Sequence, residues 1–519
     1  MNQSNENGRG AERWVLAVAI LASSMAFIDG SALNLALPAL QRDLGATGRD
    51  LLWIMNGYLL FLSALILAGG SLGDIYGRKR IFGAGIGLFA GASLLCGLAP
   101  STEFLIGSRM LQGVGGALMV PGSLAIITAS VAPQRRGESI GTWSALSTVT
   151  TLLGPLLGGY LASIGLWRAI FFINVPLGLL TLGILIIKIP ETMSVDADVR
   201  LDIPGTIAVT LGLAGITYGF IEAPEVGFSV PRIFLSLGIG FAALVSFIYI
   251  ENQSQHPMVP LRLFRSNTFS GANVLTLLLY AALNSMLFFL PLNLIQVQGY
   301  NERIAGLTFV PFTLIMMLLS RWAGVWCDRR GAREPLTVGP LVAAIGFVML
   351  SLPGETAGAS EFWTTFFPGL TVFSIGMSIT VAPLSTAVMN SVPEQRAGTA
   401  SGVNNAISRI AGVLSIAIMG SIVLLTFQSQ LQSNLNVLQL QSGTEAQVMQ
   451  EAENLAAAQA PQDIPSTQQA VIREAIDMAF ISAFRLQSII AAALAGAGSL
   501  LAWIILDPME EPERADGAI

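Results

Sequence analysis

Long apolar runs broken by short polar turns set the plan of this chain. They recur at 14–37, 51–72, 81–99, 104–130, 138–162, 167–188, 203–221, 233–250, 268–291, 304–323, 336–352, 362–387, 398–426 and 484–506. A helix needs about 20 mostly apolar residues to cross ~30 Å of hydrocarbon. The pattern therefore predicts an all-α polytopic membrane protein with fourteen spans. The first run is expected to be a span and not a cleaved leader. It exceeds an h-region of about 7–15 residues, it holds Asp29 internally, and further spans follow it.

Charge in the breaks gives an orientation. With the N-terminus in the cytoplasm, the inside segments carry sixteen Lys and Arg, from Arg9 to Arg514. The outside ones carry seven: Arg42, Arg49, Arg168, Arg232, Arg303, Arg473 and Arg485. The bias supports an even span count, with both termini cytoplasmic. Composition agrees: 53% of the 519 residues are hydrophobic and 11% charged, against roughly 25% charged in soluble chains. The net charge of −6 says little about partners, because the acid excess sits in one late segment and at the C-terminus. No nucleic-acid partner is expected.

Other chemistries find little support. Cys96 and Cys327 are the only cysteines, and His256 the only histidine. Neither a disulfide framework nor a metal site is expected. GGSLG (69–73) has the form of a nucleophile elbow but follows a membrane helix, not a strand. The only lysines, Lys79 and Lys188, lie outside any phosphate-binding loop. No cofactor or enzyme activity is expected, and energy must come from an ion or substrate gradient.

The chain also repeats itself. Gly70-Ser-Leu-Gly-Asp74-Ile-Tyr-Gly77 ends the second run, and Gly324-Val-Trp-Cys-Asp328-Arg-Arg-Gly331 ends the tenth, at an offset of 254. Gly137-Glu-Ser-Ile-Gly141 and Gly398-Thr-Ala-Ser-Gly402 open the fifth and thirteenth, at an offset of 261. Two similar halves separated by two extra helices is the implied organisation, and such repeats mark secondary transporters.

These residues carry a resemblance. GGSLGDIYGRKRIF (69–82) resembles the loop signature of the major facilitator superfamily, and LIGSRMLQGVGGA (105–117) its fourth-helix motif. TLLGPLLGG (151–159) is similar to its antiporter motif, keeping Gly154, Pro155, Gly158 and Gly159 but with Thr150 where a glycine is expected. IDGSALNLALP (28–38), LWRAIFFINVPLG (166–178) and LDIPG…IEAPEVGFS (201–229) resemble the fourteen-span drug:proton antiporter branch, with Ser31 where threonine is commoner. The resemblance implies a major facilitator fold of two six-helix bundles plus two additional helices. The bundles would be 1–190 and 267–506, the latter with an extracytoplasmic insertion at about 428–480. The extra pair would fill 191–266 and a cytoplasmic tail 507–519.

Particular residues then take expected roles. An acid in mid-membrane costs about 2.5–3.5 kcal/mol on insertion scales, so Asp29 must face a cavity or become protonated. Burial disfavours a charged carboxylate, and Asp29 is expected to load and release a proton as its exposure changes. The plainer reading is a structural acid bonded to Ser31 or a neighbouring helix. Arg109 stays protonated; it is expected to tune Asp29 or hold a water chain, or else to tie down backbone carbonyls. The resemblance places Asp74 and Asp328 near helix starts in the opposite half, close to Gly398 and Gly137. Carboxylates there gain roughly 0.3–1 kcal/mol and would latch the cytoplasmic side with Gly70, Gly77, Arg78, Lys79, Gly331 and Arg333. Simple positive-inside anchoring is the alternative for the basic residues. Gly83, Gly87 and Gly91 recur every four residues, as where helices approach closely. Gly154, Pro155, Gly158 and Gly159 would bend the fifth span, for leak-tight exchange or for packing alone.

The segment 428–480 is rich in Gln, Ala and Glu. NLNVLQL (434–440) and QAVIREAIDMAF (469–480) are expected as amphipathic helices broken by PQDIP (461–465). A lid or a docking surface for a periplasmic adaptor protein is one reading; a solvated hairpin with no fixed role is the other. Candidate cavity residues are Asn34, Asn56, Tyr58, Gln112, Asn273, Tyr280, Asn284, Asn404, Asn405 and Arg409. With Asp29 the one acid in mid-span, against Arg109 and Arg409, the cargo is expected to be lipophilic and neutral or anionic. The function expected is proton-coupled efflux of lipophilic small molecules by alternating access, in the inner or plasma membrane. A metabolite or lipid exporter without proton coupling is the alternative, and a membrane sensor or enzyme on a transporter scaffold a remote one.

Overall fold

The structure, a computed structural model, describes residues 2–191, 200–393, 396–438, 440 and 442–506. The expected tail 507–519 with Arg514, the linker stretch 192–199 and the Arg9 side chain lie outside the described residues. The chain is helical throughout: α1 (Asn2–Leu44), α2 (Gly48–Tyr76), α3 (Arg78–Gly97), α4 (Thr102–Ser130), α5 (Pro133–Ser163), α6 (Ala169–Phe172), α7 (Asn174–Lys188), α8 (Ile203–Val226) and α9 (Pro231–Gln253). After these come α10 (Asn267–Leu292), α11 (Glu302–Leu307), α12 (Val310–Arg330), α13 (Arg333–Leu350), α14 (Phe366–Asn390), α15 (Ala397–Leu438), α16 (Ser442–Gln450) and α17 (Ser466–Ile505). Among the described residues, 13 helical segments are long and apolar enough to cross a membrane. The remaining predicted span, 138–162, falls in α5, whose apolar part is the shorter stretch Val149–Ser163. Its first turns are Gly- and Ser-rich and polar, yet α5 packs along α1 like a full member of the bundle.

Local chemistry sets the helix ends. Thr47 and Asp50 form a reciprocal capping box at the start of α2, with N–H to oxygen distances of 3.1 and 2.9 Å. Asp202 caps α8 by accepting from the Gly205 N–H at 2.9 Å. The repeated motif ends alike in both halves. Gly77 at φ 105° and Gly331 at φ 79° each donate back to the carbonyl four residues earlier and turn the chain into the next helix. The sixth span is broken at Ile173, because Pro176 has no N–H for the Phe172 carbonyl.

α1 to α7 pack as one bundle, and α10 to α15 with α17 as a second. α8 lies against both α2 and α15, so the extra pair covers the seam between the bundles, with α9 outermost. Arg49 and the Trp53 indole of α2 both reach Glu222 of α8, the indole at 2.8 Å. The closest approach of α3 to α4 uses a different face from the one the sequence suggested. A Cβ on Gly85 would sit 2.7 Å from the Met119 nitrogen, and Gly115 lies against the Phe89 backbone. Gly83 and Gly87 meet only leucine side chains of α7, and Gly91 meets nothing. A four-residue spacing identifies a stripe but not its neighbour.

The two bundles meet at one end and part at the other. The end where α2 runs into α3 and α12 into α13 carries Arg78, Lys79, Arg80, Arg329 and Arg330; we call it the basic end. At the opposite end α5 meets α11 glycine to glycine: Gly306 lies against the Pro155 carbonyl and the Gly159 Cα. Arg42 pairs with Glu302 across the same seam, and Gln296 donates to Gln41 at 2.8 Å. At the basic end, a Cβ on Gly137, Gly141, Gly324 or Gly398 would meet nothing within 4 Å.

The segment after α15 is packed more closely than a solvated hairpin. The expected amphipathic helices are continuations of α15 (42 residues) and α17 (40 residues), each about 60 Å long at ~1.5 Å per residue. Leu431, Leu435, Ile472, Ile476 and Phe480 are buried between them, so the hairpin has a core and is not merely solvated. Residues 442–465 fold back as a cap over the seam. Leu455, held at φ 54°, presses on Gly48 of α2, and Gln41 donates to the Asn454 carbonyl at 3.2 Å. The Arg473 guanidinium ties the cap down through the carbonyls of Ala456 (3.0 Å), Ala458 (3.4 Å) and Gln296 (2.7 Å). Losing one charge-assisted bond of about 1.5–3 kcal/mol raises the open fraction of such a flap by about 10- to 150-fold. Arg473→Ala is therefore expected to speed proteolytic nicking within 451–465 on that scale. An unchanged nicking rate in folded protein would contradict the anchoring role.

Candidate functional site

The site begins with one turn of α1, residues 29–34. Asp29 and Arg109 are both fully buried inside the first bundle, with Oδ2 to Nη1 at 2.5 Å. The other carboxylate oxygen accepts from Gln112 Nε2 at 2.8 Å and Asn174 Nδ2 at 3.2 Å. Gln112 Oε1 accepts from Arg109 Nη1 at 2.6 Å, and its amide also donates to Ser93 at 2.8 Å. Arg109 Nε donates to the Ile54 carbonyl at 3.3 Å. The guanidinium lies 4.3 Å from the Tyr58 ring centre and 5.8 Å from that of Phe171. This hub joins α1, α2, α3, α4, α6 and α7, and the break at Ile173 brings Phe171 and Asn174 into it. A buried ion pair is tolerable only with its remaining donors and acceptors satisfied. Here the carboxylate is, while Arg109 Nη2 and Asn174 Oδ1 have no partner.

Two voids lie between the bundles. The inner one, about 230 Å³, is lined by Gly30, Ser31, Asn34, Tyr58, Asn284 and Arg409 among apolar side chains. The outer one, about 380 Å³, opens toward the basic end past Asp74, Trp143, Gly398 and Asn405. Phe27 and Arg409 border both. The outer volume falls within the range of small-ligand pockets, about 300–1,000 Å³, and the inner one lies below it and suits part of a ligand. Tyr58 lines the inner void with one face and covers Arg109 with the other.

The α5 glycines take up the other side of the same α1 turn. Gly154 packs on Ser31, Gly158 on the Ala32 backbone, and Gly159 crosses to Glu302 and Gly306 of the second bundle. Five residues of α1, Asp29, Gly30, Ser31, Ala32 and Asn34, thus touch the ion pair, the void and the α5 glycines.

The remaining predicted residues fall in other places. Asn56 is fully buried and its amide has no partner. Asn404 ties α15 to α10 through Asn273 (3.0 Å) and Thr276 (2.7 Å). With Gln112 in the hub, these four line neither void. Tyr280 also lines neither void, and its carbonyl accepts from Asn284 at 2.7 Å. The expected latch is not made in this conformation. Asp74 pairs with Arg78 of its own bundle at 2.8 Å, and Asp328 is exposed without an ion pair among the described residues. Lys79 donates to the Ile186 carbonyl at 3.1 Å. Arg333 donates to the Trp503 carbonyl at 2.7 Å and stacks on that indole. Gly70 packs on Pro121 and Gly77 on Glu191, both in the first half, and Gly331 borders a cleft beside Cys327 and Asp328 of its own half.

Sequence reasoning missed Asn174, Ser93 and Glu302. Asn174 had a signal, an amide inside the apolar LWRAIFFINVPLG. Glu302 had one too, an acid opening a span. A buried serine such as Ser93 leaves none.

Comparison with known proteins agrees with this geometry. The chain is 30% identical over 412 residues to the multidrug resistance protein Stp of Mycobacterium tuberculosis, covering 79% of this chain and 76% of the relative. It is also 30% identical over 408 residues to the tetracenomycin C resistance and export protein of Streptomyces glaucescens, covering 78% and 74%. Its fold is similar to that of a bacterial homologue of the human lysosomal transporter Spinster, solved in an inward-facing, occupied conformation. The TM-score is 0.67 at 17% identity, over 95% of this chain and 97% of that one. The family model described as Major Facilitator Superfamily matches residues 19–416. Two bundles of spanning helices around a central void, with that match over most of the chain, make this multi-pass transporter a member of the Major Facilitator Superfamily.

Proposed function

We propose that the chain is a proton-coupled exporter of lipophilic small molecules, working by alternating access in the cell membrane with both termini cytoplasmic. The basic end then faces the cytoplasm, as the distribution of Lys and Arg favours, and the conformation described is open inward. The observation that carries the reading is the double contact of the 29–34 turn. Asp29 holds the buried pair on one side of it, while Gly30, Ser31 and Asn34 border the void on the other. The printed names of the relatives, resistance and export proteins, support efflux.

In this reading the ionised Asp29–Arg109 pair belongs to the inward-open, cargo-accepting state. Cargo enters past Asn405 and Arg409, and the bundles tilt about the central void, so that the α5–α11 contact parts as the basic end closes. From the outside a proton reaches Asp29 as cargo leaves. Protonation strips Arg109 of its counter-charge and loosens the hub, and the protonated form returns inward and releases the proton. The units that move are 1–190 and 267–506. Closing the basic end brings Asp74 and Asp328 to the starts of α15 and α5.

A second reading has one observation in its favour: every Asp29 oxygen is satisfied and the pair is dry, as in a purely structural ion pair. Transport then follows the cargo gradient alone. Proteoliposomes with an acidic lumen separate the two. Coupled exchange is expected to accumulate a neutral or anionic dye at least about tenfold over collapsed-gradient vesicles, the factor a ΔpH of one unit (about 1.4 kcal/mol) sustains. Uptake indifferent to a protonophore supports the second reading and overturns the first.

A further inference from the structure

Arg409 is the one basic side chain bordering either void, and among the described residues it has no carboxylate partner. Its Nε donates to Asn405 Oδ1 at 3.1 Å; no hydrogen bond is made by its Nη donors. It lies within electrostatic range of the Tyr58 and Tyr280 hydroxyls, neither of which supplies a negative charge. Among the described residues, the inner void has no acid in its lining and the outer one has only Asp74. Leu67 of α2 faces Gly402 of α15. Asp74 lies seven residues beyond that level and Arg409 seven residues the other way, so about 20 Å separates them at ~1.5 Å per residue. The Asp29–Arg109 pair is already neutral. An arginine does not shed its proton to relieve its own burial. The void therefore carries an uncompensated positive charge at its centre.

We infer that the cargo site takes amphipathic organic anions, with the anionic head on Arg409 and the apolar body in the inner void. A planar or tetrahedral oxyanion matches the guanidinium fork. Phe27, Leu59, Leu287, Phe309 and Phe312 supply the apolar walls, and the amides of Asn34 and Asn284 offer polar contacts along them. Asn34 Oδ1 is buried and without a partner, so a ligand hydroxyl or amine finds an acceptor there. A cation meets a like charge in a low-dielectric space and is disfavoured. This inference takes from the export reading only that the void is the cargo site; it does not depend on Asp29 titrating.

The test uses binding without any gradient, to the full chain in nanodiscs corrected against empty nanodiscs. The probes are 1-anilinonaphthalene-8-sulfonate, the same aromatic body without the sulfonate (N-phenyl-1-naphthylamine), and ethidium. The wild type is expected to bind the sulfonate at least about tenfold tighter than the neutral amine, the worth of one charge-assisted contact, and ethidium weakest. Arg409→Gln is expected to erase that preference while amine binding stays within about threefold, which also shows that the variant is folded. Arg409→Lys keeps part of it, having charge without the fork. A wild type that prefers ethidium or the amine overturns the inference, whatever the variants do. So does a sulfonate preference that survives Arg409→Gln. Failure of proton coupling leaves all these ratios unchanged, so the two ideas fail separately.

Discussion

Asp29→Asn is expected to cut gradient-driven transport by about 5- to 150-fold, the span of a coupling free energy of about 1–3 kcal/mol. Ligand binding and exchange without a gradient should persist. The asparagine keeps the shape and one carbonyl acceptor for Arg109 but cannot ionise. The new amide nitrogen faces the donors of Gln112 and Asn174. Asn174 can turn to meet it, since its own Oδ1 is unpartnered. Asp29→Ala is a different experiment. It strands a fully buried guanidinium, and breaking such a pair costs about 3–5 kcal/mol, so loss of folded protein is expected. The measurement is dye flux in proteoliposomes with and without a pH gradient, beside binding to the same preparation. Gradient-driven flux that survives the substitution removes Asp29 from the coupling scheme.

Gly159→Val is expected to turn the molecule toward its other face. Gly159 and Gly306 meet backbone to backbone where the bundles close, and a Cβ on Gly159 would lie 3.2 Å from the Gly306 Cα and closer to the Glu302 carbonyl. The neighbouring atoms are backbone and cannot swing away. Overpacking such a contact costs about 1–3 kcal/mol, and here the cost falls only on the conformation closed at the cap end. The population ratio should shift by about 5- to 150-fold toward the state open at that end. Spin labels at Gly137→Cys and Gly398→Cys, two open positions at the basic end, should read a shorter distance in the variant. Gly158→Val is the control. Gly158 packs on Ala32 within the first bundle, so that substitution should lower stability without moving the distance. A folded Gly159→Val protein with unchanged distances would contradict a gate closed at this contact.

The fold was readable because a bilayer leaves the sequence few choices. Spanning segments must be long and apolar, and basic residues must gather on one side. The weakest segment was α5, whose Gly- and Ser-rich opening is too polar for a hydropathy pattern. Helix faces were less legible. Asn56, Gln112, Asn273 and Asn404 are polar residues in spans, and so were candidates for the void. Gln112, Asn273 and Asn404 are instead bonded within helix packing, because an amide in the membrane can be satisfied by a neighbouring helix as well as by cargo, and Asn56 is buried there without a partner. Arg409 and Asn405 differ from them only in the direction they point. The latch at Asp74 and Asp328 was legible as a motif but belongs to another conformation, and a sequence does not state which conformation a structure will adopt. The cap was misjudged for a related reason. Leu431, Leu435, Ile472 and Ile476 form a stripe only once α15 and α17 are seen to continue beyond the membrane side by side.

The account rests on a buried carboxylate that gives up or takes a hydrogen ion when cargo occupies the void 29–34 borders. Proton release on ligand binding measures this directly, in weakly buffered solution with a pH indicator and no membrane gradient. Over a series of pH values, wild-type protein should release protons on binding 1-anilinonaphthalene-8-sulfonate, and Asp29→Asn should bind the ligand and release none. Equal release from both proteins would contradict the account.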